Sequence, residues 1–445
     1  MKVMIVGPTK PPSGGISTVM NDMMASSLRN KIEMVLLDNS KRTSKDRTLW
    51  QGIKSQLGII REFIAMIRKE KPDLVHVHSG GTLDFYRKSI DVLLAKLLGA
   101  KVVFHNKGGD FNHFVENRNF IGRAYVKFVL NRCNKVMVLS QSWKEFHSKL
   151  ISPDRISILY NGVNSAPYER KMHYTKARHI LGIPKNKAVF LLMGVKGKRK
   201  GCYDVVEAAT LVKRMDPSVL FVLVGPDEDV ARGATEELER LCKERDVEDL
   251  IDMRPEADEK ARFLYYAAAD CFLLPSYAEN SPVSIIEAMA AKLPVIATEI
   301  AAVPELIDHE KTGLLIEPGR PGEIAEAVVK LSKDLPLRKE MGRAGFKKFH
   351  RQFDMEHAFV RTIWEIYKEV GQGPEQEKPQ EKDEEDERSE SPSDAQPPSD
   401  AQPPPDAEAQ ADAEAQADRE PLSDAERRLE DAADQIDGRD LDAGA

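Results

Sequence analysis

The sequence has little of what would tie it to an oxidising compartment or carry it through a bilayer. Four cysteines in 445 residues, Cys133, Cys202, Cys242 and Cys271, show no metal-type spacing. That excludes a disulfide scaffold and a cysteine-built zinc site, and it predicts reduced core thiols in a cytosolic protein. Apolar runs are short. The amino-terminal one, Val3 to Val6, is too brief for the apolar core of a secretion signal, and none approaches the ~20 residues of a spanning helix. Two phosphate-binding signatures are missing as well, G-x-G-x-x-G and G-x-x-x-x-G-K-[ST], so neither a nicotinamide-type fingerprint nor a Walker loop is present. No nucleic-acid recognition motif occurs, and nucleic acid is not an expected partner.

Charge is present in excess but unevenly placed. The formal net charge of −7 divides into a body of +11 up to Gly371 and a tail of −18 from Gln372 to Ala445. The tail repeats "SDAQPP" twice and has almost no aromatic or β-branched residues. Such a segment buries too little apolar surface to offset chain entropy, which predicts disorder over 372–445.

Within the body, short apolar runs alternate with helical patterns. "KVMIVG", "IEMVLLD", "DLVHVHS", "KVVFHN", "KVMVLS" and "ISILYNG" are strand candidates in the first half; "AVFLLMG", "SVLFVLVG", "LIDMRP", "CFLLPS", "PVIAT" and "GLLIE" follow in the second. Leu49, Ile53, Leu57, Ile60, Ile64 and Ile67 recur at helical spacing between two of them. Continuously apolar strands alternating with helices predict parallel sheets covered on both faces, here two doubly wound α/β domains. The expected boundaries are 1–165, 166–353, a last helix over 354–371, and the tail. Ligands of such sheets bind beyond the carboxyl ends of the strands.

Several loops fall at those ends. Gly14 and Gly15 in "PPSGGIST" lie between the first strand and its helix, where glycine lets backbone amides approach a phosphate, or simply makes a turn. Lys196, Lys198, Arg199 and Lys200 crowd the loop after "AVFLLMG" and open a helix. Cations at a helix start oppose its dipole unless an anion lies between them. Arg254 ends "LIDMR" in a similar position. In "PSYAENSPVSIIEAMA", Ser281 and Pro282 read as the N-cap and first position of a helix, which places Glu279 in the loop before it and Glu287 inside it. A carboxylate among Ile285, Ile286, Ala288 and Met289 is costly unless satisfied. Either Glu287 pairs with an arginine or a backbone amide, or both glutamates face a polyhydroxylated ligand.

With these motifs, the chain resembles a retaining glycosyltransferase of family 4, with the GT-B fold of two facing Rossmann-like domains. "ENSPVSIIEAMA" resembles that family's E-x7-E element, "TEIAAVPELIDHEKTGLLIEPG" the segment after it, "YNGVN" its interdomain motif, and "KRKG" its phosphate-binding loop. The similarity covers roughly residues 1–370. It implies that Glu287 holds the ribose of a nucleotide sugar and that Glu279 contacts the transferred sugar. Lys200 would neutralise the leaving diphosphate with Gly15 in support, and His105 would touch sugar and acceptor hydroxyls. Asn280, Ser281, Pro282 and Val283 would line the donor subsite with Lys196, Arg199 and Arg254. No metal or other cofactor is implied. The D-x-D at Asp227 and Asp229 reads as an acidic helix start rather than a metal site.

Four positions depart from the family pattern. Val195 stands where a phosphate-binding arginine is usual, Ala301 and Ala302 replace two glycines, and Asn164 replaces an aspartate. For the acceptor, a glycan or a lipid-linked hydroxyl is expected. "FNHFVENRNFIGRAYVKFVLNRCNK" (111–135) interleaves aromatics with basic residues, and reads either as an anionic-membrane contact or as an ordinary amphipathic segment packed on the sheet. Two other functions remain open on these residues: a catalytically degenerate sugar-nucleotide-binding subunit and a nucleotide-sugar 2-epimerase.

Overall fold

A computed structural model describes residues 1–8, 15–39, 49–169, 174–228 and 233–372. The acidic tail lies outside them. Twelve strands form two six-stranded sheets. The first holds β1 (Lys2–Gly7), β2 (Glu33–Asp38), β3 (Leu74–Ser79), β4 (Lys101–Asn106), β5 (Lys135–Val138) and β6 (Ile156–Ile158), in the order β2-β1-β3-β4-β5-β6. The second holds β7 (Ala188–Met193), β8 (Val219–Val224), β9 (Ile251–Arg254), β10 (Cys271–Leu274), β11 (Val295–Thr298) and β12 (Gly313–Ile316), in the order β12-β11-β10-β7-β8-β9. Every pairing between them is parallel. All twelve correspond to the apolar runs of the sequence.

These runs are continuous because helices cover both faces of each sheet. Val75, Val77, Val102 and Phe104 pack on one side of the first sheet with Phe63 and Phe85; Val3, Ile5, Leu74 and Val103 pack on the other with Val19 and Met20. The second sheet is divided in the same way. All four cysteines are buried free thiols. Strand order reverses between β1 and β3 and again between β7 and β10, which opens a crevice at each reversal.

The chain passes between the sheets twice, and the two passes lie side by side. Val163 exchanges backbone hydrogen bonds with the second pass, to Phe353 O at 3.0 Å and from Met355 N at 2.9 Å. Gly162 is required there, since a Cβ would meet the Phe359 side chain at 2.6 Å. After one π-helical turn (Met355–Phe359), the helix Val360–Gln372 packs Ile363, Ile366 and Tyr367 onto the first sheet. It is held further by Glu369 to Lys135 and by Lys101 Nζ donating to Gly371 O at 2.8 Å. Asn164 keeps a capping role, its side-chain oxygen accepting from Ala166 N at 3.1 Å.

Ala301 adopts φ +48°, the left-handed region in which a Cβ is strained. Ala301→Gly is expected to stabilise the fold by up to about 1 kcal/mol. A rise of a few degrees in melting temperature checks this; no change would mean that the loop already relaxes the strain.

Candidate active site

In the second domain the crevice between β7 and β10 is built by two loops pressed together. Gly201, at φ +69°, allows the loop after β7 to lie on the end of β10, since a Cβ there would come within 2.1 Å of Pro275 O. Lys200, just before it, forms an ion pair with Glu279, and Ser276 Oγ donates to the same carboxylate oxygen at 2.8 Å. Both side chains are almost enclosed, 11% and 8% exposed, so their attraction is little screened and each leaves the other stranded if removed.

The other basic residues of this region are engaged elsewhere. Lys196 is buried and donates to Arg254 O at 3.0 Å, with Asp227 at 3.8 Å. Asp227 also accepts from Thr235 N at 3.1 Å, while Asp229 lies outside the described residues. Arg199 binds Glu228 at 3.2 Å and the carbonyl of Ala278 at 3.3 Å. Arg254 is held by the Asp252 carboxylate at 2.6 and 2.7 Å. None of these three pairs with Glu279.

The expected helix starts one residue late. It spans Val283–Ala290 with Pro282 as its N-cap, and Ser281 Oγ caps nothing; it is buried without a partner. A proline forces the residue before it out of helical geometry, which carries Ser281 into the loop. Glu287 pairs with an arginine in this structure: its carboxylate accepts from Tyr266 OH at 2.7 Å and lies 3.3 Å from Arg262. Burial raises its pKa, opposed by Arg262 and by hydrogen bonds from Tyr266 and Tyr168. The two glutamates therefore share no partner here.

In the first domain the crevice is lined by histidine. Gly14 is outside the described residues, and Gly15 begins the helix Gly15–Ala25. His105, completely buried at the end of β4, accepts or donates at Nδ1 to His76 Nε2 at 3.3 Å. His76 Nδ1 lies 2.6 Å from Tyr367 OH, and the His78 ring lies against His76 at a tilt of 33°, ring centres 4.0 Å apart. Nitrogens of the three histidines lie within 4.8 Å of one another, the one grouping among the described residues with the donor set for a metal ion. Burial lowers all three pKa values, that of His76 to about 3. Lys107, two residues beyond His105, is buried with an unpartnered amine, and burial alone pushes its pKa down to about 7.

The two strand-end regions meet. Asn280 Nδ2 donates to Lys107 O at 2.7 Å, and Asn161 Nδ2 donates to Ser281 O at 3.0 Å. Glu305 accepts from Gln141 N at 2.8 Å, Ser142 N at 3.2 Å and Tyr160 OH at 2.9 Å, a carboxylate on the amino end of the helix Gln141–Ser148. Lys200, Glu279 and the His105 strand end thus border one seam.

Comparison with known families decides the class. Residues 174–348 match Glycosyl transferases group 1, and residues 15–166 match Glycosyltransferase Family 4. This chain belongs to the family 4 glycosyltransferases. It is 26% identical over 333 residues to an N-acetyl-alpha-D-glucosaminyl L-malate synthase of Bacillus anthracis, spanning 74% of this chain and 83% of that one. It is 27% identical over 314 residues to an Escherichia coli UDP-Gal:alpha-D-GlcNAc-diphosphoundecaprenol alpha-1,3-galactosyltransferase, spanning 68% and 77%. Among solved structures, Anabaena HepE in complex with UDP superposes with a TM-score of 0.67 at 18% identity, covering 84% of this chain and all of that one. The glycosyltransferase has the GT-B fold, with both Rossmann-like sheets in place.

Sequence reasoning missed five residues of this glycosyltransferase site: His76, His78, Lys107, Glu305 and Tyr367. The alternation in "LVHVHS" was the one available signal, since period 2 puts both histidines on one face. Nothing in the sequence ties Tyr367 to a strand 291 residues earlier.

Lys107 makes stability depend on pH. An unfolded lysine keeps its proton to about 10.5, whereas the folded one sheds it near 7. Between those values the unfolded chain binds more protons, so stability rises with pH. Lys107→Met is expected to flatten that rise in urea midpoints followed from about pH 7 to about pH 10; an unchanged slope would assign it to other groups.

Proposed function

We propose that this glycosyltransferase retains anomeric configuration while moving a sugar from a nucleotide-diphosphate sugar to a hydroxyl of a glycan or lipid-linked acceptor, in cell-surface polysaccharide or glycolipid synthesis, with no metal required. The observation that carries this reading is the enclosed Lys200–Glu279 pair at the β7/β10 crevice, beside the seam where Asn280 bonds the carbonyl of Lys107. The Escherichia coli relative, named for a UDP-Gal donor and a diphosphoundecaprenol acceptor, supports the donor and lipid-linked acceptor classes.

The chemistry follows from the pair. A donor diphosphate in the crevice competes with Glu279 for the Lys200 ammonium. Lys200 then stabilises the charge that develops on the diphosphate as the glycosidic bond breaks, where a fixed cation in a dry site is most effective. Glu279 is freed to accept from sugar hydroxyls, which a carboxylate does more strongly than an amide. The departing phosphate takes the acceptor's proton, and attack on the face it leaves retains configuration. Glu287 reaches ribose by exchanging Tyr266 or Arg262 for ribose hydroxyls.

A degenerate binding subunit is the second reading. Val195 is apolar, and Lys196 and Arg199 have partners of their own in Arg254 O and Glu228. A panel of UDP-, GDP-, ADP- and dTDP-sugars, with EDTA and a membrane extract as acceptor, separates the two. Sugar transfer from one donor supports the enzyme, and donor binding without release supports the subunit. Lys200→Ala is expected to lower kcat by ~10²–10³ in the fraction that folds; unchanged kcat would remove Lys200 from the mechanism.

The acceptor side carries an exposed amphipathic surface. On the helix Phe120–Arg132, Val126, Val129 and Leu130 are buried while Phe120, Ile121 and Phe128 face outward among Arg123, Lys127 and Arg132. This supports peripheral contact with an anionic membrane, which we propose at its cytoplasmic face; no described helix is long and apolar enough to cross one. Replacing Arg123 and Lys127 with Gln is expected to weaken sedimentation with phosphatidylserine vesicles by about 10- to 30-fold, at ~1 kcal/mol per charge. Equal binding by both proteins would refute the contact.

A further inference from the structure

The histidine cluster is a set of hydrogen-bond donors that lacks acceptors. Alternation along β3 puts His76 and His78 on one face of the sheet, and His105 and Lys107 share that face from β4. Register sets His105 beside His78, and Lys107 N extends the ladder to Ser79 O at 2.8 Å.

The direction of each hydrogen bond follows from accounting for protons. Tyr367 is fully buried, and its hydroxyl lies 2.6 Å from His76 Nδ1. Were it the acceptor, its own proton would be left unpaired in a dry site, which is costly. So Tyr367 donates. His76 is neutral, therefore carries its proton on Nε2, and gives it to His105 Nδ1 at 3.3 Å. His105, also neutral, is left with N–H at Nε2, an atom buried without a partner. Neither nitrogen of His78 is bonded, so it adds another N–H, and the Lys107 amine adds a third unpartnered donor.

We propose that His78, His105 Nε2 and Lys107 bind an oxyanion, a phosphate or carboxylate, carried by the acceptor close to the hydroxyl that receives the sugar. That this anion belongs to the acceptor rests on the transferase reading; the oxyanion site itself does not. A divalent cation fits the same atoms poorly. Both nitrogens of His76 are engaged, His105 Nε2 carries a proton rather than a lone pair, and Lys107 adds like charge. The donor's diphosphate has its own cation in Lys200, in the other domain. Access for the anion requires the hydrogen bond from Asn280 to the Lys107 carbonyl to open. His105 here donates, so it orients the acceptor and does not take its proton.

The test is histidine-selective ¹⁵N NMR on the full chain, with resonances assigned through His→Gln variants. His76 and His105 are expected as Nε2–H tautomers, a preference that Tyr367→Phe removes. Inorganic phosphate is expected to shift His78 and His105 even with a saturating nucleoside diphosphate present. Lys107→Met is expected to weaken that phosphate binding by about 10- to 100-fold while leaving nucleotide affinity unchanged. If Lys107→Met does not fold, Lys107→Gln and the Tyr367→Phe tautomer shift keep the test open. In transfer assays, phosphate is expected to compete with the acceptor and not with the donor. An Nδ1–H tautomer at His105 would overturn the proposal. So would phosphate shifts that vanish once nucleotide is bound, phosphate competition against the donor, or Zn²⁺ shifting these histidines when phosphate does not. Loss of transfer with intact phosphate shifts would count against the transferase reading and spare the site.

Discussion

An ammonium and a carboxylate enclosed together, Lys200 and Glu279, form the contact on which this active site depends. Their attraction is strong only because little water reaches them, and water is kept out only because two loops can touch. That closeness comes from Gly201, whose missing Cβ leaves room for the Pro275 carbonyl. The loops in turn sit where they do because β7 and β10 are neighbours while their helices leave in opposite directions. A pair of this kind is a poor source of stability, since desolvation offsets much of its attraction. In the proposed mechanism its value lies in poise, each partner being exchanged for substrate.

The first domain is built on the opposite principle. It presents neutral imidazoles and one amine in a site from which water and carboxylates are both excluded. Its order comes from a helix that returns from the far end of the folded chain, where Tyr367 supplies the proton that sets the rest of the chain of hydrogen bonds. One half of the site is thus balanced by opposite charge, and the other is defined by unspent donors. The two meet at a few hydrogen bonds through Asn280, Asn161 and Glu305.

Much of this was legible in the sequence. Twelve apolar runs became twelve strands because a strand covered on both faces needs no polar alternation, a pattern that survives without knowledge of its neighbours. Glu279 and Lys200 stood out because each follows a strand and precedes a helix. The basic loop was less transparent. Four cations in five residues look alike in sequence, yet Lys196 turns inward to a carbonyl, Arg199 takes Glu228, and Lys200 pairs with Glu279.

The sequence by itself determined the parallel α/β class, the two-domain division of the family and the loops that carry the site, because hydrophobic period, strand ends and the E-x7-E spacing are local properties. Tertiary structure alone decided which charges pair and which protons are fixed. Glu287 meets Arg262 and Tyr266 rather than Glu279's partner, and Tyr367 meets His76 across 291 residues. Those outcomes depend on burial and on distances of about 3 Å between distant segments, and a linear pattern holds no record of either.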